Sequence, residues 1–285
     1  MSHPSGSADL LQRFSFDSTD IRGEITHLHS SYQDVLKRHQ YPPLIATAVG
    51  ELMAATALLS ANLKFAGRLT LQIRLAGNVS LLQAETNEQG QLRAIARYDE
   101  DAAATELQLE NGQFIITIEP EQGQRYQGIT AIEGGNIAGA LEEYFVQSEQ
   151  LDSRFWLVCK DGIAAGFMLQ KMPGTDSHDT DAWDRIGHLA STIKDEELLH
   201  LDNATLLHRL YHEEQVRLYP ESTLSFFCTC SKPRTANALH QLGYAELDEI
   251  LKEAGKISIT CEFCQQAYAF ERPEIEEMFP ERHPH

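Results

Sequence analysis

Four of the five cysteines fall in two tight pairs near the C-terminus, Cys228-Thr229-Cys230 and Cys261-Glu262-Phe263-Cys264, with thirty residues between them. Two short-spaced pairs are the pattern of a tetrahedral Zn2+ site, which takes four soft donors at about 2.3 Å with little loop closure inside each pair. Large apolar residues are few from Phe227 to His285. A segment of that kind draws most of its folding free energy from the metal, which is worth roughly 10 to 16 kcal/mol in small zinc peptides. The same spacing also lets each pair close on itself as a disulfide. Sulfurs in a zinc tetrahedron stand about 3.8 Å apart and a disulfide needs about 2.05 Å, so metal and bond exclude each other. Cys261 and Cys264 can close across a turn. Cys228 and Cys230 need their short backbone bent, so complete oxidation is expected to go with local unfolding.

The chain has 285 residues, 42% of them hydrophobic, enough for one large domain and something small. Its formal charge of −19 opposes nucleic acid or an anionic membrane as main partner, since either polyanion is repelled over most of the surface. The segment Met1 to Asp17 carries neither a basic n-region nor a long apolar h-region. The most apolar stretch, Leu44 to Leu63, holds Glu51 and Asn62 and follows Pro42-Pro43, so it reads as a buried helix rather than a membrane span. With an odd cysteine count and no secretory leader, the expected location is cytoplasmic, where paired cysteines bind metal or sense redox state.

The expected fold class is α+β: an N-terminal mixed sheet with packed helices, a helical linker, and a small C-terminal four-cysteine zinc module. Strands are expected at Leu69 to Leu75, Val79 to Glu85, Leu92 to Tyr98 and Gln113 to Glu119, paired antiparallel, and helices at Tyr32 to His39, Leu44 to Leu63 and Ile137 to Glu149. Arg22-Gly23-Glu24-Ile25-Thr26 and Gln127-Gly128-Ile129-Thr130 hint at two related units. A polar, acidic run after Gly174 reads as a domain boundary. The domains are therefore placed at 1–174, at 175–226 for the linker and at 227–285 for the zinc module. The linker carries one helix with Trp183, Ile186, Leu189, Ala190 and Ile193 on a stripe, and another from Ala204 to Glu214. The module is expected to hold one helix, Ala236 to Ala254, and the strand-like Lys256 to Thr260.

Other candidates carry less chemistry. Cys159 reads as a packed strand thiol. His208 and His212 lie one helical turn apart with no third ligand near in sequence. Gly134-Gly135-Asn136-Ile137-Ala138-Gly139 matches neither a P-loop nor a dinucleotide fingerprint and reads as a turn that starts a helix. No Ser/His/Asp set or carboxylate pair stands in a motif, so no enzyme is expected.

The segments Cys228-Thr229-Cys230-Ser231, Leu242-Gly243, Glu246-Leu247, Ile250-Leu251 and Cys261-Glu262-Phe263-Cys264, followed by Tyr268 and Phe270, resemble the redox-switch domain of the 33-kilodalton heat-shock chaperone family. The likeness continues through Leu63 to Leu69, Tyr126-Gln127-Gly128, Tyr144 to Leu151, Ala164 to Gln170 and Leu210 to Glu214, and so covers nearly the whole chain. Two departures are Gln265, where Asn is common, and the additional thiol Cys159. The resemblance implies an ATP-independent holdase, inactive when reduced with one zinc on Cys228, Cys230, Cys261 and Cys264. It implies that oxidant and heat drive next-neighbour disulfides, Cys228 to Cys230 and Cys261 to Cys264, with zinc release, unfolding of module and linker, and homodimer formation. Implied partners are unfolding client proteins and an Hsp70-type refolding system, with no nucleic acid and no membrane. Two rival readings use the same residues: a zinc-ribbon adaptor or nucleic-acid binder, which would cluster basic residues on a module that is instead acidic, and a thiol-disulfide oxidoreductase built on Cys261 and Cys264.

Overall fold

The computed structural model describes residues 9–17, 19–61, 66–100, 107–173 and 179–279. These divide into two compact units, Met1–Phe227 and Cys228–His285. The expected boundary at 174/175 and the expected last residues of the apolar helix, Asn62 and Leu63, lie outside the described residues.

The first unit is built on β1 (Asp9–Phe16), β2 (Ile21–Leu28), α1 (Ser30–Arg38), α2 (Pro43–Ser60), β3 (Gly67–Arg74), β4 (Val79–Asn87), β5 (Gln91–Tyr98), β6 (Gln113–Pro120) and β7 (Tyr126–Ala131). It continues with α3 (Ile137–Tyr144), extended by a π-helical turn at Phe145–Glu149, then β8 (Ser153–Lys160), β9 (Ile163–Lys171), α4 (Ala182–Ala190), α5 (Asp195–His200), α6 (Asn203–Tyr211), β10 (Val216–Leu218) and β11 (Ser222–Phe226). One sheet runs in the order β7-β6-β3-β4-β5-β11-β1-β2-β9-β8, with β10 beside β1. The hairpin-forming neighbours pair antiparallel, as their spacing predicts, while β11 joins β5 in parallel through Ser225 and Phe226 and meets β1 antiparallel through Ser222 to Leu224. The two halves of the sheet are thus stitched by the strand that ends just before Cys228.

Both faces of the β1-β2-β9-β8 half are covered. On one side α2, mostly apolar as a largely buried helix must be, sits in a core with Leu28, Leu71, Leu82, Phe114 and Met168. Two thirds of this helix is buried within the protein, so the sequence that could cross a membrane by length and composition serves as core. On the other side α4 to α6 lay Ile186, Ala190, Leu198, Leu206, Leu210 and Tyr211 over Phe14, Phe16, Ile25, Phe167 and Leu169. Two glycines allow close approach of rings to the sheet. A Cβ on Gly23 would fall 2.1 Å from Phe14 Cζ, and one on Gly128 would fall 2.6 Å from Tyr144 Cε2. The similar sequences around these glycines therefore share a packing role. The start of α1 is capped from a distance: the Asp9 carboxylate accepts the backbone N–H groups of His29, Ser30 and Ser31 at 2.7, 2.8 and 2.6 Å, satisfying donors the helix leaves open.

The second unit holds α7 (Lys232–Leu242), α8 (Tyr244–Ala254), a hairpin of β12 (Ile257–Thr260) and β13 (Ala267–Phe270), and α9 (Arg272–Glu277). The single helix expected over Ala236 to Ala254 is two helices, because Gly243 takes φ 84°, a left-handed value that ends α7. The stretch 175–226 carries the expected amphipathic helices and also the strands β10 and β11, which the sequence pattern does not predict.

Candidate metal centre

The two cysteine pairs ride on different local structures. Cys228 and Cys230 lie on the extended segment between β11 and α7, where Ser231 caps α7 by accepting from the Arg234 N–H and Arg234 reaches back to the Thr229 carbonyl at 2.9 Å. Cys261 and Cys264 sit on the tight turn joining β12 to β13. There the Cys261 N–H donates to the Gln266 carbonyl and the Gln265 N–H to the Cys261 carbonyl, each at 2.9 Å. Gln265 takes φ 59° to close the turn, a left-handed conformation that Asn adopts more readily than Gln. The departure at this position is therefore a small local strain.

All four Sγ atoms lie within 4.8 Å of one another, none in a disulfide. The Cys228–Cys261 and Cys230–Cys264 sulfurs are 3.7 and 3.3 Å apart, close to the spacing of a tetrahedral thiolate site. The Tyr268 hydroxyl lies 3.2 Å from the Cys230 sulfur. Burial works to raise the Cys230 thiol, but hydrogen bonds from Tyr268 and from the other thiols outweigh it, and the thiol is held below its ordinary value. Burial pushes Cys264 up to about 12, against the Gln266 backbone hydrogen bond that favours its thiolate. Without a cation the cluster cannot carry four charges, and one depressed thiol beside a raised one is the outcome. With a cation at its centre all four can ionise. The donor set and spacing fit a thiophilic divalent metal, and among the described residues this is the one cluster of three or more metal-binding side chains.

The remaining candidates fall where the sequence puts them. Cys159 packs from β8 against α2, so closely that a Cβ on Gly50 would fall 2.3 Å from its sulfur, and burial pushes its thiol up to about 11. It is an inert core thiol. His208 on α6 and His212 at its C-cap have their rings 6.3 Å apart, with no third ligand among the described residues. Asn136 caps α3, its side chain accepting from the Gly139 N–H at 2.8 Å, so the glycine-rich run starts a helix. Sequence reasoning missed Tyr268 as a partner of the cluster; its place two residues along from Gln266, on β13, puts it beside Cys230 only once the hairpin is folded.

Comparison with known proteins supplies the family. A profile described as Hsp33 protein matches residues 9–271. A 33 kDa chaperonin of Pseudomonas aeruginosa is 46% identical over 289 residues, covering 98% of this chain and 96% of that one. A 33 kDa chaperonin of Pseudomonas syringae pv. tomato is 44% identical over 286 residues, covering 97% and 95%. Among solved structures, the 33 kDa chaperonin of Thermotoga maritima superposes with a TM-score of 0.83 at 21% identity, covering 96% of this chain and 98% of that one, which is agreement in fold. Similarity of this extent and identity places the chain in the Hsp33 family of chaperones.

Proposed function

We propose that this chaperone is a redox-regulated, ATP-independent holdase, inactive while Cys228, Cys230, Cys261 and Cys264 hold one zinc ion and activated when they are oxidised. The observation that carries the reading is the four-sulfur cluster within 4.8 Å, set in a unit whose core, among the described residues, has only Leu239, Leu247, Leu251, Ile257, Phe270 and Ile275 as buried apolar residues. A bound zinc ion supplies the tetrahedral cross-link that such a unit needs to stay folded.

Each zinc-held pair of thiolates gives two electrons to the oxidant; with peroxide, the O–O bond breaks as the S–S bond forms, two protons come from solvent, and each disulfide leaves two molecules of water. In the folded cluster two sulfur contacts run between the pairs, at 3.7 and 3.3 Å. The within-pair bonds, Cys228 to Cys230 and Cys261 to Cys264, are instead favoured once the module loosens, because the shortest loops then have the highest effective concentration. Heat and oxidant therefore act together.

Unfolding of the module reaches the first unit through β11, the strand that ends at Phe226 and stitches the two half-sheets. Behind it lie α4, α5 and α6, of nine, six and nine residues, each too short to persist alone. Their departure bares Phe14, Phe16, Ile25, Phe167 and Leu169, an apolar sheet face of the kind that holds an unfolding client. The activated protein works as a homodimer, keeps clients for an Hsp70-type system, acts in the cytoplasm, and catalyses no reaction. The adaptor and oxidoreductase readings are weaker here: each leaves the covered sheet face without a role.

The test follows light scattering of a thermally unfolding client alongside a colorimetric zinc assay. Reduced protein should protect poorly, and peroxide with heat should release one zinc per chain as protection appears. Equal protection in both states would remove redox control; protection with zinc retained would remove the mechanism.

A further inference from the structure

The two edges of the large sheet are finished differently. Strand β8 carries Arg154 and Lys160, ion-paired to Asp184 of α4 and Glu196 of α5 at 3.6 and 2.6 Å, the charged cover that protects an edge from further pairing. Strand β7 has neither Lys nor Pro, no bulge in its register with β6, and one strand neighbour among the described residues. Ile129 at its centre is 55% exposed.

The direction of its free backbone groups follows from the ladder. Ile132 donates its N–H to the Gly112 carbonyl and accepts from the Asn111 N–H, so its polar groups face the β6 side. Orientation alternates along a strand. Thr130, Gly128 and Tyr126 therefore bond β6, while Gln127, Ile129 and Ala131 aim their N–H and C=O groups at the open edge. The side chains of this odd set share the sheet face opposite the Tyr144 ring, as the Gln127 bond to Thr117 at 2.9 Å confirms.

We propose that β7 is a self-complementary docking edge, pairing antiparallel with β7 of a second copy across a two-fold axis at Ile129. In that register Ile129 faces the partner's Ile129, and Gln127 faces the partner's Ala131. Three residue pairs then exchange six backbone hydrogen bonds. Flanking the strand, Arg125 comes opposite the partner's Glu133, and symmetry repeats the pair, so opposite charges meet at both ends. Arg125 is well exposed and pairs within its own chain only loosely, with Glu119 at 3.6 Å. Shifting the register by two residues either way loses the two-ended charge match. A six-residue edge is small for a stable interface, and two copies of charge −19 repel, so the contact is weak alone and gains from any further surface the partners bury. This deepens the dimer reading above, on which it rests, by naming the surface.

The test is sedimentation of the full chain over a concentration series, reduced and after peroxide at raised temperature. Arg125→Glu and Glu133→Arg each place like charges opposite one another at two symmetric positions and should each weaken dimerisation about tenfold or more. The double variant carrying both swaps restores opposite charges and should regain the parent's dimerisation constant. Because both side chains are at the surface, circular dichroism and melting should match the parent. A dimer that forms with all three variants unchanged overturns the β7 edge and leaves the dimer reading standing. Singles that weaken without rescue in the double overturn the register. Absence of any dimer in either redox state overturns the edge and the dimer reading together.

Discussion

Replacing Leu206 by Ala should activate the reduced, metal-loaded protein without oxidant. Leu206 is fully buried on α6, in the cluster that seals α4 to α6 onto Phe14, Phe16 and Phe167. Large-to-small substitution at such a site costs about 2 to 5 kcal/mol, the lost transfer energy plus the cavity. Two ion pairs that also hold these helices to the sheet, Arg154 with Asp184 and Lys160 with Glu196, are substantially exposed, and such pairs are typically worth about 0 to 1 kcal/mol each. Apolar packing therefore dominates, and its loss falls on helices too short to survive undocked. Where opening of α4 to α6 is a local event, the open population rises about thirtyfold to several thousandfold. Hydrogen exchange across residues 182–211 should quicken, zinc content should stay at that of the parent, and reduced protein should suppress client aggregation. Leu141→Ala is the control: it is equally buried but lies in the α2 core on the other side of the sheet, and should destabilise without activating. Faster exchange in α4 to α6 with no gain in protection would refute the covered sheet face as the client surface.

Cys261→Ser should lower zinc affinity and quicken exchange throughout 228–279 and, through β11, in α4 to α6, while the α2 core of the first unit keeps its own later melting transition; one shared transition shifted as a whole would contradict the division. Gln265→Asn should stabilise the zinc-loaded second unit by a few tenths of a kcal/mol, and Gln265→Val should cost about 1 to 2 kcal/mol, because φ 59° suits Asn and opposes a β-branched side chain; chemical denaturation of both variants checks the order. Glu24 on β2 is buried with both carboxylate oxygens unbonded, and although Arg22 lies 3.9 Å away, burial raises its pKa from 4.5 to about 7. The folded state then binds more proton than the unfolded one between about pH 4.5 and 7, so stability falls as pH rises through that window and is flat above it, a loss on the order of 3 kcal/mol. Glu24→Gln should flatten that part of the pH dependence of melting, with the slope that remains coming from Glu51, which burial raises to about 7, and Glu142, which burial also raises, set against His27, which burial lowers.

Legibility in the sequence followed how many faces of an element are buried. Strands β3 to β5 turn Leu69, Leu71, Ile73, Leu82, Ala84, Leu92 and Ala94 into the α2 core and carry Gln72, Gln83, Glu85 and Arg93 on the other face, a contrast that makes them legible, whereas β6 buries Ile115 and Thr117 as well as Phe114 and Ile116. Strand β9 is buried on both sides, so Ala164-Ala165-Gly166-Phe167-Met168-Leu169 shows no period and cannot be told from a helix by pattern. Strands β10 and β11, three and five residues long, are too short to show one. The break at Gly243 is invisible because the apolar positions run through it in helical phase. The four cysteines were legible because their chemistry is local to two short loops. The Asp9 cap on α1 and the Tyr268 contact with Cys230 join residues far apart in sequence and leave no mark on either neighbourhood.

The two units are held by different terms, and that difference makes a metal an effective latch. Six buried apolar side chains in the second unit, at about 1.5 to 3 kcal/mol each, give roughly 9 to 18 kcal/mol before any ordering cost is subtracted. A zinc site worth roughly 10 to 16 kcal/mol is as large as that entire core. Under the proposed function, removing the metal takes from the second unit a contribution as large as its apolar core, whereas the first unit, with its own extensive buried clusters, hardly registers the loss directly. What it does register is the release of the chain after Phe226. Strand β11 meets β5 at only two residues and β1 at three, a seam that costs little to part once its C-terminal end is no longer anchored in a folded module. This seam of the large sheet is thus made by the strand that leads directly into Cys228 in the chain, and the helices that cover Phe14 and Phe167 precede it, with only β10 between.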